Sequence, residues 1–240
     1  MKTIVKGLAV VLLALTTASC AFDVNFGAGK AGNGVVAEQT RTVSEEFTKV
    51  SASEGLDVYV AQGTDFEIRV EADENIIDLI ATDISNGKLR VHTKENIGNA
   101  TKNIYITMPA VSALASSSGA DLEVKGTIQA DEIELDASSG SDLIASIQAK
   151  SVEVDSSSGA MIQITGEASE LSADASSGSN IRAQDFETKN CTASASSGAD
   201  VRIFVTESLT ANASSGGNIA YKGEPKVSQS NSVSGNVSKI

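Results

Sequence analysis

Ser-Ser-Gly returns at nearly constant intervals through the second half of the chain, and this repeat restricts the fold more than any other feature. Its glycines are Gly119, Gly140, Gly159, Gly178, Gly198 and Gly216, separated by 21, 19, 19, 20 and 18 residues. The weaker copy "SVSGNV" places Gly235 another 19 residues on. A fixed period of this length marks a solenoid, in which each unit stacks on its neighbours.

Counting from each glycine exposes a strand pattern. Three residues after it stand Leu122, Leu143, Ile162, Ile181, Val201 and Ile219. Five before it stand Leu114, Leu135, Val154, Ala173, Ala193 and Ala211. The residues between are mostly Glu, Asp, Ser, Thr or Asn, as in "EIELDAS". Alternation of period two describes strands with one buried face, and no helical stripe competes with it in this half. The units are too short for propeller blades and lack the helices of ankyrin or tetratricopeptide repeats. The expected fold is all-β: a single-stranded parallel β-helix with coils of about 20 residues, in which like residues form ladders along the axis.

Ser-Ser-Gly then reads as a structural corner. Residues beside the glycine shrink to Ala137, Ser139 and Ser141, or Ala175, Ser177 and Ser179, as where two walls converge. Glycine admits a backbone angle that other residues resist. Inward serines can bond the bend's backbone groups or one another. Ser138, Ser157, Ser176, Ser196 and Ser214 form one outward row. Asp121, Asp142, Asn180, Asp200 and Asn218 form another, interrupted by Met161. Such a row could coordinate calcium, but the glycine-rich nonapeptide of calcium-binding β-rolls is absent. A solvated edge with Asx side chains capping the turn is the preferred reading. No metal or cofactor is expected.

At the N-terminus, Lys2 and Lys6, the apolar "GLAVVLLAL" and "TTAS" read as an export signal over residues 1–19, too short to span a bilayer. A small-residue run ending at Cys20 resembles the lipobox of bacterial lipoproteins, with Thr17 where Leu is usual. That resemblance implies cleavage before Cys20 and lipidation of its thiol; ordinary secretory cleavage near "TASCA" is the other reading. Loss of Lys2 and Lys6 with the signal takes the net charge from -13 to -15. So acidic a body repels nucleic acid and anionic lipid headgroups, so membrane attachment is expected through the Cys20 lipid.

Residues 20–46, with "FGAGKAGNGVV", read as a flexible tether. Residues 47–240 read as one β-helix domain, with longer irregular coils over 47–110 and Ser-Ser-Gly coils over 111–240. "GLDVYVAQG", "DFEIRVEA", "GKLRVHTK" and "NIYITMP" alternate, while "NIIDLIAT" reads as a helical turn or a buried strand. The segment after Tyr221 reads as a last, loosely packed coil, whose open end leaves homo-oligomer formation undecided.

Catalytic chemistry finds little purchase. His92 is the only histidine, in a strand, with no nucleophile elbow to serve. Cys20 and Cys191 are too few for a disulfide framework or a zinc site, and Cys191 occupies an apolar column. Arg182 and Arg202, each four residues after its glycine, offer slender support for holding an acidic sugar. With no Trp, and only Tyr59, Tyr105 and Tyr221, no aromatic platform is expected.

The order of "FTKVSASEGLDVYVAQG", "EADENIIDLIATDISNGKLRV", "NIYITMP" and Ser-Gly-Ala-Asp repeats, from about Phe47 to Tyr221, resembles the putative auto-transporter adhesin head domain, or head GIN domain. The resemblance implies a right-handed parallel β-helix and an exported protein or lipoprotein of Bacteroidetes and related bacteria. It implies adhesion, with no catalytic residues to carry over. The expected function is a non-enzymatic, lipid-anchored protein of the cell envelope at the outer membrane. It would present polar ladders to a glycan or an envelope protein. The alternative is a β-helix enzyme acting on acidic polysaccharides.

Overall fold

Alternating sequences become strands here because each can bury one face against the strand one coil away. The structure, a computed structural model, describes residues 29–231 and 234–240; the signal segment and Cys20 lie outside the described residues. Strands run in chain order as β1 (Val36–Thr40), β2 (Lys49–Ala52), β3 (Asp57–Gln62), β4 (Glu67–Asp73), β5 (Ile80–Ser85), β6 (Lys88–Thr93), β7 (Lys102–Met108) and β8 (Ala113–Ser116). The long β9 (Asp121–Ala137), β10 (Asp142–Ser156), β11 (Met161–Ala175), β12 (Asn180–Ala195) and β13 (Asp200–Ala213) follow. The chain closes with β14 (Asn218–Lys222), β15 (Lys226–Asn231) and β16 (Asn236–Lys239).

The result is a β-solenoid of about seven turns with coils of about 19 residues. β9 to β13 stack in parallel, each long strand bending once and so supplying two walls of its coil. Leu143 lies against Ile162, Ile162 against Ile181 and Ile181 against Val201, all essentially sealed from solvent. Burying each such side chain stabilises the fold by roughly 1.5–3 kcal/mol. On the second wall Val152, Leu171, Cys191 and Leu209 form one inward column, and Val154, Ala173, Ala193 and Ala211 the next.

The corner is a turn of two left-handed residues. Ser158 has φ +52° and Gly159 φ +75°, and the Ala160 N–H donates to the Ser157 carbonyl at 3.1 Å. Paired positive φ values with this bond describe a type I′ turn. Turns also bond along the axis: the Gly140 N–H reaches the Ser158 carbonyl, and the Gly159 N–H reaches that of Ser177, each at 3.1 Å.

This geometry corrects the crowded-corner reading. A Cβ added at Gly119, Gly140, Gly159, Gly178 or Gly198 would meet nothing within 4 Å, so conformation rather than space selects glycine there. Ser139 and Ser177 are exposed, because the turn interrupts the alternation, whereas Ser141 and Ser179 are fully buried. Gly235 is also not a turn glycine. Asn236 pairs with Asn218, which puts Gly235 beside Gly217, one residue past the turn.

The first half is only partly the same solenoid. β2, β3, β7 and β8 extend the parallel stack. On one wall β4 turns antiparallel to β7 and β1 antiparallel to β4; on the other β5 is antiparallel to β6. "NIIDLIAT" splits into a 3-10 turn at Ile77–Leu79 and the start of β5. Order does not begin at Phe47 either. β1 and a bridge from Lys30 to Ile97 draw residues of the expected tether into the fold. Gly32 is there because a Cβ would collide with the buried Asp73 carboxylate.

At the other end two core columns turn polar, while Val227 and Val237 continue those of Leu209 and Ile219. Gln229 continues the column of Ala211, and Lys239 that of Ile203 and Tyr221. Lys239 Nζ pairs with Glu224 at 2.5 Å. A charge at an inward position of the last coil disfavours stacking of a further strand, so this end is blunted rather than open.

Candidate functional site

The two walls meet opposite the Ser-Ser-Gly corner at a second bend, and a groove runs along it. The parallel register passes from Ala149 to Ser151 against Ala168 to Glu170, skipping Lys150 and Ser169. Rows result: Gln129, Gln148, Glu167 and Glu187 on one side, Ala130, Ala149, Ala168 and Thr188 as a floor, and Asp131, Lys150, Ser169 and Lys189 beyond. The groove has a volume of about 630 Å³. Each of the three rows crosses four coils, and the three spacings between them span about 14 Å.

Gln62 closes its N-terminal end. The Gln62 side-chain amide donates to the Gln129 carbonyl at 3.1 Å and its oxygen accepts the Gln129 N–H at 2.8 Å. Lys150 Nζ lies 2.8 Å from Asp131 Oδ1, and this bond and charge raise the Lys150 pKa. Thr188 is buried, its hydroxyl donating to the Asn190 carbonyl at 3.2 Å. The lining thus offers amides, carboxylates and ammonium groups over small side chains, suited to many polar contacts with an extended partner.

A sequence signal for the bend existed. Inward residues separated by an even number continue a strand, yet Ile128 to Ile133, Ile147 to Val152 and Phe186 to Cys191 are five apart. The odd step marks a phase change and hence a bend.

The first wall carries the Asx ladder, longer than the sequence suggests. Asn103 and Asp57 precede Asp121, and Asn236 follows Asn218 in register. Asp121, Asp142, Asn180, Asp200 and Asn218 fall in one row as expected, with Met161 between. Each coil but that of Met161 contributes one oxygen-bearing side chain to the row rather than converging several. Among the described residues no three His, Cys, Asp or Glu side chains gather at a metal-sized point. Burial, then the charges of Asp142 and Asp57, raise the Asp121 pKa.

Beside the ladder Tyr59 and Tyr105 stack with centroids 5.1 Å apart, brought together by the β3–β7 pairing. Arg69 covers Tyr105 at 4.1 Å and Lys125 covers Tyr59 at 4.6 Å. The tyrosines therefore do form an aromatic pair, with cations over its outer faces.

The second wall gathers acid. Asp136, Asp155 and Asp174 stand in register, with Glu134 and Glu153 alongside. Burial raises the Asp155 pKa, followed by the charges of Glu153, Asp174, Asp136 and Glu134. Burial and Glu134 likewise raise that of Asp136. These carboxyls lie along one wall rather than facing each other across a cleft.

Other singled-out residues have structural partners. His92 Nε2 is 2.8 Å from Asp83 Oδ2 and Nδ1 is 3.2 Å from the Thr93 carbonyl, so both ring nitrogens are engaged. Cys191 is 4% exposed, and burial pushes its thiol up to about 12. Arg182 and Arg202 lie directly in register in neighbouring coils, away from the groove floor. No described helix is long and apolar enough to cross a membrane.

Comparison with known proteins agrees with this architecture. Crystal structures with the same fold include a putative adhesin from Bacteroides fragilis, at 20% identity and a TM-score of 0.77, covering 88% of this chain and 100% of that one. A putative lipid binding protein from Parabacteroides distasonis matches at 18% identity and a TM-score of 0.72, covering 88% and 98%. A putative adhesin from Parabacteroides merdae matches at 19% identity and a TM-score of 0.70, covering 89% and 99%. No protein of curated function matches the chain. A family model described as "Putative auto-transporter adhesin, head GIN domain" matches residues 46–225, and the chain belongs to that family.

Proposed function

We propose that the protein is a lipid-anchored binding protein of the cell envelope, an adhesin or scaffold without catalytic activity, that holds an extended glycan or envelope protein along its solenoid wall. The observation that carries this reading is the groove, whose polar rows repeat over four coils. Contacts of that kind are individually weak and gain strength by number. The names of the solved relatives and of the family favour adhesion. Lipid binding, in the name of one relative, fits this chain less well, because Ala, Ser and aliphatic columns fill its interior.

Attachment would come from a lipidated Cys20 with the chain exported by residues 1–19. Metabolic labelling with a fatty acid should mark the wild type and not Cys20→Ala. Protease shaving of intact cells then decides which side of the outer membrane carries the domain. Adhesion of cells should fall on deletion of the gene and stay low when Ala149→Phe fills the groove. Adhesion unchanged by deletion ends the adhesin reading. Release of reducing ends from uronic-acid polymers, abolished by mutating one carboxylate, would establish the enzyme instead.

A further inference from the structure

We infer that Arg182 and Arg202, with Phe204, form a site for the carboxylate of an acidic sugar; this rests on the binding function proposed above. In a chain of net charge -13, two exposed arginines stand in register in adjacent coils. Their backbones are about one strand spacing, 4.8 Å, apart, which keeps two like charges on neighbouring coils. Arg69 answers its charge with Glu38 and Glu71, and Arg41 donates to the Ile77 and Ile80 carbonyls. Arg182 and Arg202 have neither an ion pair nor a hydrogen bond among the described residues.

With Asn180 and Asp200 the pair lines a notch of about 70 Å³. Asp200 is the carboxylate in that lining, and it forms an ion pair with neither arginine. An external anion placed between the two forks would relieve the repulsion and accept charge-assisted hydrogen bonds from both.

The surroundings choose the carrier of that anion. Phe204 follows Arg202 by two residues, on the same outward side of β13, and is only half-buried. Lys222 stands over its ring at 4.7 Å. Phe204 is also in register with Glu187, the last member of the groove's polar row. Phe204 therefore links Arg202, two residues before it, to the C-terminal end of the groove, while Arg182 stands five residues before Glu187 on β12. A glycan lying along the groove would bring a uronate to the arginines and a ring face to Phe204. A phosphate alone has no use for the phenyl ring, and the acidic second wall repels an anionic bilayer.

The test is titration of the full-length protein with a short oligogalacturonate at low salt. Arms with its methyl ester, inorganic phosphate and phosphatidylglycerol vesicles run in parallel. Variants are Arg182→Gln/Arg202→Gln, Phe204→Ala and the control Lys125→Gln. The oligogalacturonate should bind wild type and Lys125→Gln alike, and weaken about tenfold or more in the double variant. Phe204→Ala should weaken it too, and the methyl ester should not bind. The double variant, relieved of like charges, should melt no lower than wild type. Equal binding by the double variant, or by the methyl ester, overturns the site. Binding of phosphate or vesicles alone overturns the sugar assignment. Absence of any binding, with cell adhesion intact, overturns this inference and leaves the wider function standing.

Discussion

Ser116 Oγ and Ser141 Oγ meet at 2.9 Å, buried, across the boundary between two coils. The position three before the turn glycine runs Ser116, Ala137, Ser156, Ala175, and the position one after it runs Ala120, Ser141, Ala160, Ser179. Each of these coils thus supplies one inward hydroxyl at the corner, alternately before and after the turn. Ser141 also accepts the Ser138 N–H at 3.2 Å, and Ser179 donates to the Ser156 carbonyl at 2.7 Å. Ser141→Ala should destabilise the fold by about 1–3 kcal/mol, because it strands a buried hydroxyl. Ser116→Ala/Ser141→Ala should cost less than the two single changes summed, measured by denaturant unfolding in a double-mutant cycle.

The turns predict a graded glycine series. Gly140 has φ +70° and open space around it, so Gly140→Ala should cost roughly 1–2 kcal/mol from backbone strain alone. Gly166 has φ +114°, and a Cβ there would collide with the Ile147 carbonyl. Gly166→Ala should therefore destabilise more than Gly140→Ala. Ser139, at φ +55°, should become more stable as Ser139→Asn, since Asn tolerates that region better. Thermal melts of the three variants order these effects.

Acidification should stabilise the protein before it unfolds it. Asp121, Asp136 and Asp155 have pKa values raised by burial and neighbouring carboxylates. A raised folded pKa means the folded state holds those protons more tightly than the unfolded chain. Their contribution is full below the ordinary carboxylate range and is lost as pH rises through the folded values. Glu54 opposes the trend. Burial, which would raise its pKa, is outweighed by hydrogen bonds from the Thr93 N–H and hydroxyl, helped by His92 and Arg90. Melting temperature should rise from neutral pH toward the upper edge of carboxylate titration, and Asp155→Asn should flatten that rise. Added salt at neutral pH should mimic it.

Cys191 should be chemically silent in the folded protein. Its thiol, pushed up to about 12 and nearly sealed, presents almost no thiolate to a reagent. A thiol-specific reagent should label it at the rate of global unfolding and immediately in denaturant. Fast labelling under native conditions would show that the second wall opens locally.

Calcium should not govern stability. Asp57, Asp121 and Asp142 succeed one another a coil apart instead of enclosing a point. Melting curves with excess calcium and with chelator should superimpose, apart from general screening. A chelator-dependent fall in melting temperature would return the Asx row to a metal role.

What the sequence by itself determined is the coil. Period two and a nineteen-residue recurrence are local properties of the chain, because strand alternation is set by the backbone and identical neighbours dictate their own stacking. Leu143, Ile162, Ile181 and Val201 were readable as one column for that reason. Tertiary structure alone decided the parts without repetition. Gly32 belongs to a composition that suggests a loose tether, yet its missing side chain admits the Asp73 carboxylate, forty-one residues away. Tyr59 and Tyr105 became a stacked pair, and β4 reversed direction, through partners that no periodicity connects. Gly235 slipped one residue from its apparent equivalent because hydrogen-bond register, not spelling, sets which residues align. Approach of segments remote in the chain depends on the shapes both bring to the contact, and neither segment encodes the other.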